Sequence, residues 1–539
     1  MPRPFRAFAL AALAVPLLLA AGGAAAQHLT HVPGANPKMA GVPLPTILSP
    51  ELVGVVRAQG TMRVENPSAA VVYYGYLNDA PNLIPPPGTT SSAEASKTEP
   101  DKNTYLVLPG LKGADPSYDY GAHFLFQGHE AGSPGTLTRV NLDADPAHRV
   151  TVLANFEKDG VTPLPTIDGS TWYPWSRRLL LTQEGNGSST GGVWQATPDY
   201  PSVVENLQSV LGRGGYEGIQ ADADGNIWLV EDIGGTTVAG AKLPNSFIYR
   251  FTPKNRWDLR AGGKLQALQV MSRSSPGHAI VYQDASALTQ DIKDLHTYGV
   301  QFDTAWVTVH DTDVDGFVPF NANALAKAKL ATPFKRPENG VFRPGSRFGE
   351  FFFSETGDTS ATSTGIPLHG GFGSLMALRQ SGPSAATGKL AMFFKGDLEH
   401  TAFDNVQFFD EHRLIAVEDR GDGLHAQGNA LDSGWLFDTR LDYSTGAHKP
   451  VRIIAQGRDV SATIDSALSG TPGFHNDGDN ELTGIHVSDG DPTEHGLLGA
   501  ERPRPFRDGW RVFYNQQHGE NIAWELLRVH FGDNDRDDD

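Results

Sequence analysis

"YEGIQADADGNIWLVEDIGG", Tyr216 to Gly235, carries a glutamate before a tight turn and another after it. Glu217 opens an apolar stretch, and Asp222-Ala223-Asp224-Gly225-Asn226 is a turn by composition. "NIWLVED" then reads as a buried strand ending on Glu231 and Asp232, with Gly234-Gly235 just beyond. A hairpin built this way holds a carboxylate at each end.

The closing half of the phrase recurs. Glu130 follows Phe124-Leu125-Phe126, Glu184 follows Leu179-Leu180-Leu181, Glu355 follows three phenylalanines in "GEFFFSETGD", and Glu418 follows Leu414 to Val417. "WRVFYNQQHGEN" ends the series with His518 and Glu520. With Glu231 these are six versions of one phrase: an apolar strand, an acidic residue, then glycine. Glu217 precedes Glu231 by 14 residues, Glu338 precedes Glu355 by 17, and Asp404 precedes Glu418 by 14. Glu481 takes the same part before the last phrase, across a longer insertion.

Several phrases lead into further β-rich stretches such as "NSFIYRFTP" and "GWLFDTR". Repeats of roughly 50 to 120 residues holding short strands are how propeller blades read in sequence. The expected fold is all-β: a six-bladed β-propeller with loop insertions and a few short helices, "NANALAKAKLA" (Asn321 to Ala331) being the best helical signal. The propeller is expected over 116–530, preceded by an irregular segment over 27–115 that packs on it and followed by an acidic tail, 531–539.

The 539 residues suit a propeller of one unit, and 60 glycines with 37 prolines favour turns over long helices. There is no cysteine, so disulfides, thiolate ligands and cysteine nucleophiles are excluded. A formal net charge of −19 argues against nucleic acid, whose phosphates select basic surfaces. It fits a protein that binds cations, and equally a surface charged for solubility. At the N-terminus "MPRPFR" is basic, "AFALAALAVPLLLAA" apolar and "GGAAAQ" small. That is a secretory signal over 1–26 rather than a membrane span, and it implies a periplasmic or secreted protein.

In a propeller, equivalent points on successive blades surround a central channel, so the repeated acids are expected to converge. Two carboxylates 4 Å apart repel by about 4 kcal/mol at an effective dielectric near 20. A ring of them needs raised pKa values or cations in its midst. Carboxylate oxygens are hard ligands, so Ca²⁺ is the first expectation, with Fe³⁺, Mn²⁺ or Mg²⁺ as alternatives. The expected ligands are Glu130, Glu184, Glu217, Glu231, Glu338, Glu355, Asp404, Glu418 and Glu481. The competing reading is that an acid after a strand is a turn former capping backbone N–H groups. "DTDVDG" (Asp311 to Gly316) imitates the start of a calcium loop but has Ala322 where the twelfth-position glutamate belongs, and reads as a polar turn. No G-x-S-x-G, H-E-x-x-H or Walker loop is present.

In their order, "GHEAG", "YPWSRRLLLTQEG", "YEGIQADADGNIWLVED", "LAKAKLATPFKRPENGVF", "DNVQFFDEHRLIAVEDRGDG" and "NQQHGEN" resemble the PhoX-type alkaline phosphatases, exported bacterial propeller proteins. The resemblance spans about residues 115 to 525. It implies hydrolysis of phosphate monoesters at a mixed iron and calcium cluster, with Glu130, Glu184, Glu217 and Glu338 at metal-ligand positions and Arg336 at the arginine that grips phosphate. The family's metal-binding cysteine falls where this chain has Gln183, and a neutral amide does not replace a thiolate that holds iron. The twin-arginine signal usual in the family is also missing.

The reading is therefore a metal-dependent phosphoric ester hydrolase acting on a small phosphorylated substrate, with calcium dominant. Its alternatives are a non-catalytic propeller that keeps calcium as a structural plug, and a calcium-dependent lactonase-type hydrolase.

Overall fold

The computed structural model describes residues 28–34, 46–77, 97–283, 288–359, 366–456, 481–517 and 521–529. The signal segment, most of "SGTPGFHNDGDNE", His518, Glu520 and the acidic tail lie outside these residues.

Among the described residues six antiparallel four-stranded units can be traced, two of them joined in one nine-stranded sheet, beside a separate two-stranded ribbon. The first strands of the six units are Pro100–Val107, Ser170–Tyr173, Tyr216–Ala221, Gly340–Phe342, Phe403–Phe408 and Glu481–Ser488. Each touches the next in turn, and the sixth touches the first, so the six close a ring around one axis. The second strands are His123–His129, Arg178–Gln183, Ile227–Glu231, Glu350–Glu355, Arg413–Glu418 and Arg511–Gln517.

The apolar triplets fall on these second strands because every sheet is packed between two others. Alternate residues of a strand point to opposite faces. Leu179 and Leu181 accordingly enter the core shared with Phe124 and Phe126, while Leu180 enters the core shared with Ile227 and Leu229. Phe351 and Phe353 face that same core, while Phe352 faces the next one with Leu414 and Ala416. A strand buried on both sides shows an unbroken apolar run rather than alternation.

The opening hairpin is as its composition implies. Asp222 Oδ1 accepts from the backbone N–H groups of Asp224 and Asn226 at 2.9 and 3.0 Å, and Gly225 takes the left-handed turn position at φ 85°. The helix Ala322–Ala328 lies where helical composition placed it, capped by the Asn321 side chain. "DTDVDG" is a single helical turn, Thr312–Asp315, whose Asp313 pairs with Lys254.

The described residues within 27–115 include strands that join the sheets. Leu52–Ala58 is the outermost strand of the sixth unit, paired with Ile522–Arg528, and so fastens the two ends of the ring. Thr46–Leu48 pairs with Val451–Gln456 on the fifth unit, and Pro100–Val107 is the first strand of the first. One long strand, Gln301–Asp311, pairs with Gly263–Val270 on one side and Thr387–Lys395 on the other, welding the third and fourth units together.

The connection between Glu481–Ser488 and Arg511–Gln517 crosses the opposite end of the ring from the second-strand exits. Val107 N–H donates to the Gly490 carbonyl at 2.7 Å, Trp172 Nε1 donates to the Pro492 carbonyl at 2.8 Å, and Leu497 enters the largest core. No helix among the described residues is long and apolar enough to cross a membrane.

Candidate metal centre

Two sets of backbone positions deliver carboxylates to the axis. The first lies on the first strands. Register slips between Pro100 and Asn103, Tyr216 and Ile219, and Phe403 and Val406, so in each strand two residues oppose one on its partner. These are β-bulges, which re-aim side chains at sheet rims. The bulged pairs are Asp101-Lys102, Glu217-Gly218 and Asp404-Asn405. Asp168 and Glu338 enter from two residues ahead of the strands Ser170–Tyr173 and Gly340–Phe342, and Glu481 begins the sixth first strand.

The second set lies one residue past the second strands of the first five units: Glu130, Glu184, Asp232, Thr356 and Asp419. The last residue of the strand itself turns away into the sheet. Glu231, Glu355 and Glu418, expected as metal ligands, occupy that inward position. Glu231 Oε2 accepts from Phe247 N–H, Tyr249 Oη and Asn323 Nδ2, each at 3.0 Å. Glu355 accepts from Lys335 N–H at 2.9 Å, His296 Nε2 at 2.8 Å and Ser374 Oγ at 2.5 Å. Glu418 accepts from Thr401 N–H, Ser433 N–H, Trp435 Nε1 and the Arg420 fork, all at 2.9 Å. These three are buried acceptors that tie hairpins together. Side-chain alternation is the reason: a slip of one residue exchanges the two faces. His129 and Gln183 stand at the same position; the ring of His129 bonds Thr98 and Thr138, and Gln183 Oε1 accepts from Gly191 N–H at 3.1 Å.

Of the expected ligands, Glu130, Glu184, Glu217, Glu338, Asp404 and Glu481 do reach the axis. They meet Asp101, Asp168 and Asp232 there, three acids that sequence reading left out. Glu184, Glu217, Asp232 and Glu338 each place one oxygen so that all four lie within 4.8 Å of one another. Asp101, Glu130 and Glu481 form a second such group. Asp168 stands between them, within the electrostatic reach of Glu130, Asp101 and Glu184.

Few donors answer these acids. Gln517 Nε2 donates to Glu130 at 2.6 Å, Thr356 Oγ1 to Glu338, and Thr483 Oγ1 to Asp101. Among the described residues no backbone N–H, amide, hydroxyl or basic side chain donates to the carboxylates of Asp168, Glu184 or Glu217; Asp168 and Glu217 make side-chain hydrogen bonds only with other acids, among them Asp101 and Glu338. Asp404 Oδ2 is buried with no partner. Burial first, and the neighbouring acids second, hold the carboxyls of Glu130, Asp168, Glu184, Glu217, Glu338 and Asp404 above the usual carboxylate range. Glu184 is itself exposed at the mouth, where Asp232, Glu338 and Asp101 are the neighbouring acids that help push its carboxyl up.

Two cations stand among them. Arg336, held at a left-handed φ of 51°, grips Asp232 through Nε at 2.9 and 3.1 Å and through Nη2 at 2.7 Å. Its Nη2 also lies 3.4 Å from Glu338 Oε1. The side chain keeps 21% exposure, and Nη1 has no hydrogen bond among the described residues. Lys102, in contrast, is buried, and its Nζ donates to Asn405 Oδ1 at 2.9 Å.

The donor set suits a hard cation. Ca²⁺ takes oxygens at about 2.3–2.6 Å, so ligands on opposite sides of one ion lie about 5 Å apart. The four-oxygen group has that spread, and its acids without donors are those a cation would satisfy.

No protein-family profile and no curated protein sequence matches the chain. Among solved structures it is similar to Pseudomonas fluorescens PhoX in complex with vanadate, a transition state analogue. The TM-score is 0.53 at 12% identity, over 93% of this chain and 98% of that one. It is also similar to the PQQ-bound aldose sugar dehydrogenase of Streptomyces coelicolor, with TM-score 0.34 and 12% identity over 83% of this chain and 100% of that one. The fold is thus a β-propeller. In its overall path the chain follows the PhoX propeller, with an axial mouth lined by acids that could hold metal.

Proposed function

We propose that this protein is an exported, metal-dependent hydrolase of phosphoric esters. The reading rests on the Arg336–Asp232 pair. One guanidinium edge is fixed by a carboxylate of the four-oxygen group, and Nη1 makes no hydrogen bond among the described residues, which would leave it for a ligand. A planar fork anchored on one side suits phosphate oxygens, and its charge favours the charge that develops in phosphoryl transfer. Similarity to a propeller solved with vanadate supports the same assignment.

Glu184, Glu217, Asp232 and Glu338 would hold one metal, and Asp101, Glu130 and Glu481 a second. Calcium is the expected ion, and Fe³⁺ or another transition metal would have to be held by oxygen alone. Bound ions there supply positive charge against the phosphate and acidity that readies water for attack. The chain's own part is orientation. Arg336 binds and aligns a phosphate oxygen, Thr356 holds Glu338 in place, and the crossing over 489–510 leaves the acidic mouth as the way in for substrate. The basic and apolar character of residues 1–26 supports an exported protein, in the periplasm or outside the cell.

A non-catalytic propeller with a calcium plug is favoured by one observation. Gln183 is engaged with its own hairpin and offers the axis no ligand. The test is the mature protein purified without added metal, assayed with a generic aryl phosphate before and after chelation. Phosphate release lost in chelator and restored by calcium is the expected result. No turnover with any metal supplied, together with a calcium-dependent melting temperature, would favour the plug.

A further inference from the structure

The bulge in Pro100–Val107 does more than aim Asp101. Asp101 and Lys102 together oppose the single residue Gly128, so strict alternation fails and both side chains lie on the axial side. The equivalent bulged neighbours are Gly218 and Asn405, one without a side chain and one short and neutral. Lys102 alone among these three is long and cationic. It is 2% exposed, and it crosses the channel from the first unit to the fifth, where Nζ meets Asn405. Asn405 is itself fixed, its Nδ2 donating to Asp404 Oδ1 at 2.7 Å and its Oδ1 accepting from Gly484 N–H at 3.1 Å. Asp101, Asp404, Glu217 and Asp168 are the acids whose fields reach the ammonium. These are four acids on or just ahead of the first strands of four different units. An ammonium carries three donors, and Asn405 takes one of them.

We propose that Lys102 is a built-in cation that takes the innermost cation position of the acidic funnel, so that the centre binds fewer metal ions than its carboxylates alone would gather. The inference rests on the metal-centre reading above and adds to it the residue that limits the metal count. Asp404, whose Oδ2 has no protein donor and whose Oδ1 is bonded to the same Asn405 that holds the ammonium, is the acid that gives up a divalent ion, with Asp168 in the same field. Glu184, Glu217, Asp232 and Glu338 remain the group open to one at the mouth. A lysine kept only for packing would leave metal binding unchanged when replaced by an apolar chain of like length.

The experiment compares full-length mature wild type, Lys102→Met and Lys102→Arg. Each is stripped of metal, titrated with Ca²⁺ by calorimetry, and analysed for bound metal after gel filtration. Melting is followed in parallel with and without calcium, so folding is read independently of activity. Lys102→Met is expected to hold about one further equivalent of calcium, because removing the cation leaves its acids unpaired. Its metal-free form should melt below wild type and regain the difference when calcium is added. Lys102→Arg should keep the wild-type count. Equal stoichiometry and affinity in folded wild type and Lys102→Met would overturn the inference while leaving the metal centre standing. Binding by Lys102→Met alone would uphold it, and binding by neither protein would overturn both readings. If Lys102→Met does not fold even with calcium present, cation replacement fails and the inference falls with it.

Discussion

Glu231 and Asp232 are adjacent in the chain and face opposite environments. Glu231 points into its sheet and accepts from three protein donors, while Asp232 points to the axis and is gripped by Arg336. The same division separates Glu418, held by Arg420 within its sheet, from Asp419 beside it. In these two units the last strand residue is structural and the next is axial.

Exchanging members of that pair should separate stability from metal binding. Glu231→Leu leaves the Phe247 N–H, Tyr249 Oη and Asn323 amide without their acceptor, at about 1–3 kcal/mol for each donor left buried and unpaired. Asp232→Asn should fold with a melting temperature near that of the metal-free wild type and bind calcium more weakly. Thermal melts with parallel calcium titrations check both.

Metal-free protein should lose stability as pH rises. Burial and mutual repulsion raise the folded-state values of Glu130, Asp168, Glu184, Glu217, Glu338 and Asp404 above their unfolded ones. Glu231 is likewise pushed up, to about 7, by burial. The folded state therefore binds more protons than the unfolded one. The stabilisation is complete below the unfolded carboxylate range and is lost as pH rises through the raised values, at up to about 1.4 kcal/mol per pH unit for each proton. Urea unfolding in chelator from pH 4.5 to 8 should show the decline, and saturating calcium should flatten it.

Arg336→Lys keeps the charge and removes the fork. Hydrolysis of an aryl phosphate and inhibition by inorganic phosphate should each weaken by about ten- to a hundredfold, the worth of one charge-assisted hydrogen bond. Metal content should stay at the wild-type level. Steady-state kinetics with elemental analysis of the same sample decides it.

Gly218 is the bulged neighbour of Glu217, and a Cβ there would lie 2.8 Å from the Glu338 carbonyl oxygen and 2.9 Å from Asn339 Cα. Gly218→Ala must push apart the strands that carry two proposed ligands. A loss of about 1–3 kcal/mol is expected from such overpacking, with weaker calcium binding. Calorimetry alongside denaturant unfolding measures both.

The propeller was legible because second strands are buried on both faces, which writes Leu179-Leu180-Leu181 and Phe351-Phe352-Phe353 as unbroken apolar runs. Ring closure by Leu52–Ala58 was not, since its partner Ile522–Arg528 lies at the far end of the chain and no local pattern names it. Convergence of Glu130, Glu184, Glu217, Glu338 and Asp404 could be read from their repeated places relative to the strands. The choice within Glu231-Asp232 and Glu418-Asp419 could not, because it turns on the residue at which each strand ends. Counting alternation back from Leu229 would have set Asp232 and Glu231 on opposite faces. Asp101 and Lys102 were hidden by a Pro-rich, polar stretch that reads as a loop, and by a bulge, which leaves no periodic trace.

Calcium titration of metal-free mature protein against Glu217→Gln/Glu338→Gln tests the axial metal centre most directly. Saturable binding that raises the wild-type melting temperature, and is lost in the double variant, is the expected result. Wild-type protein that takes up no calcium and melts alike with and without it would contradict it.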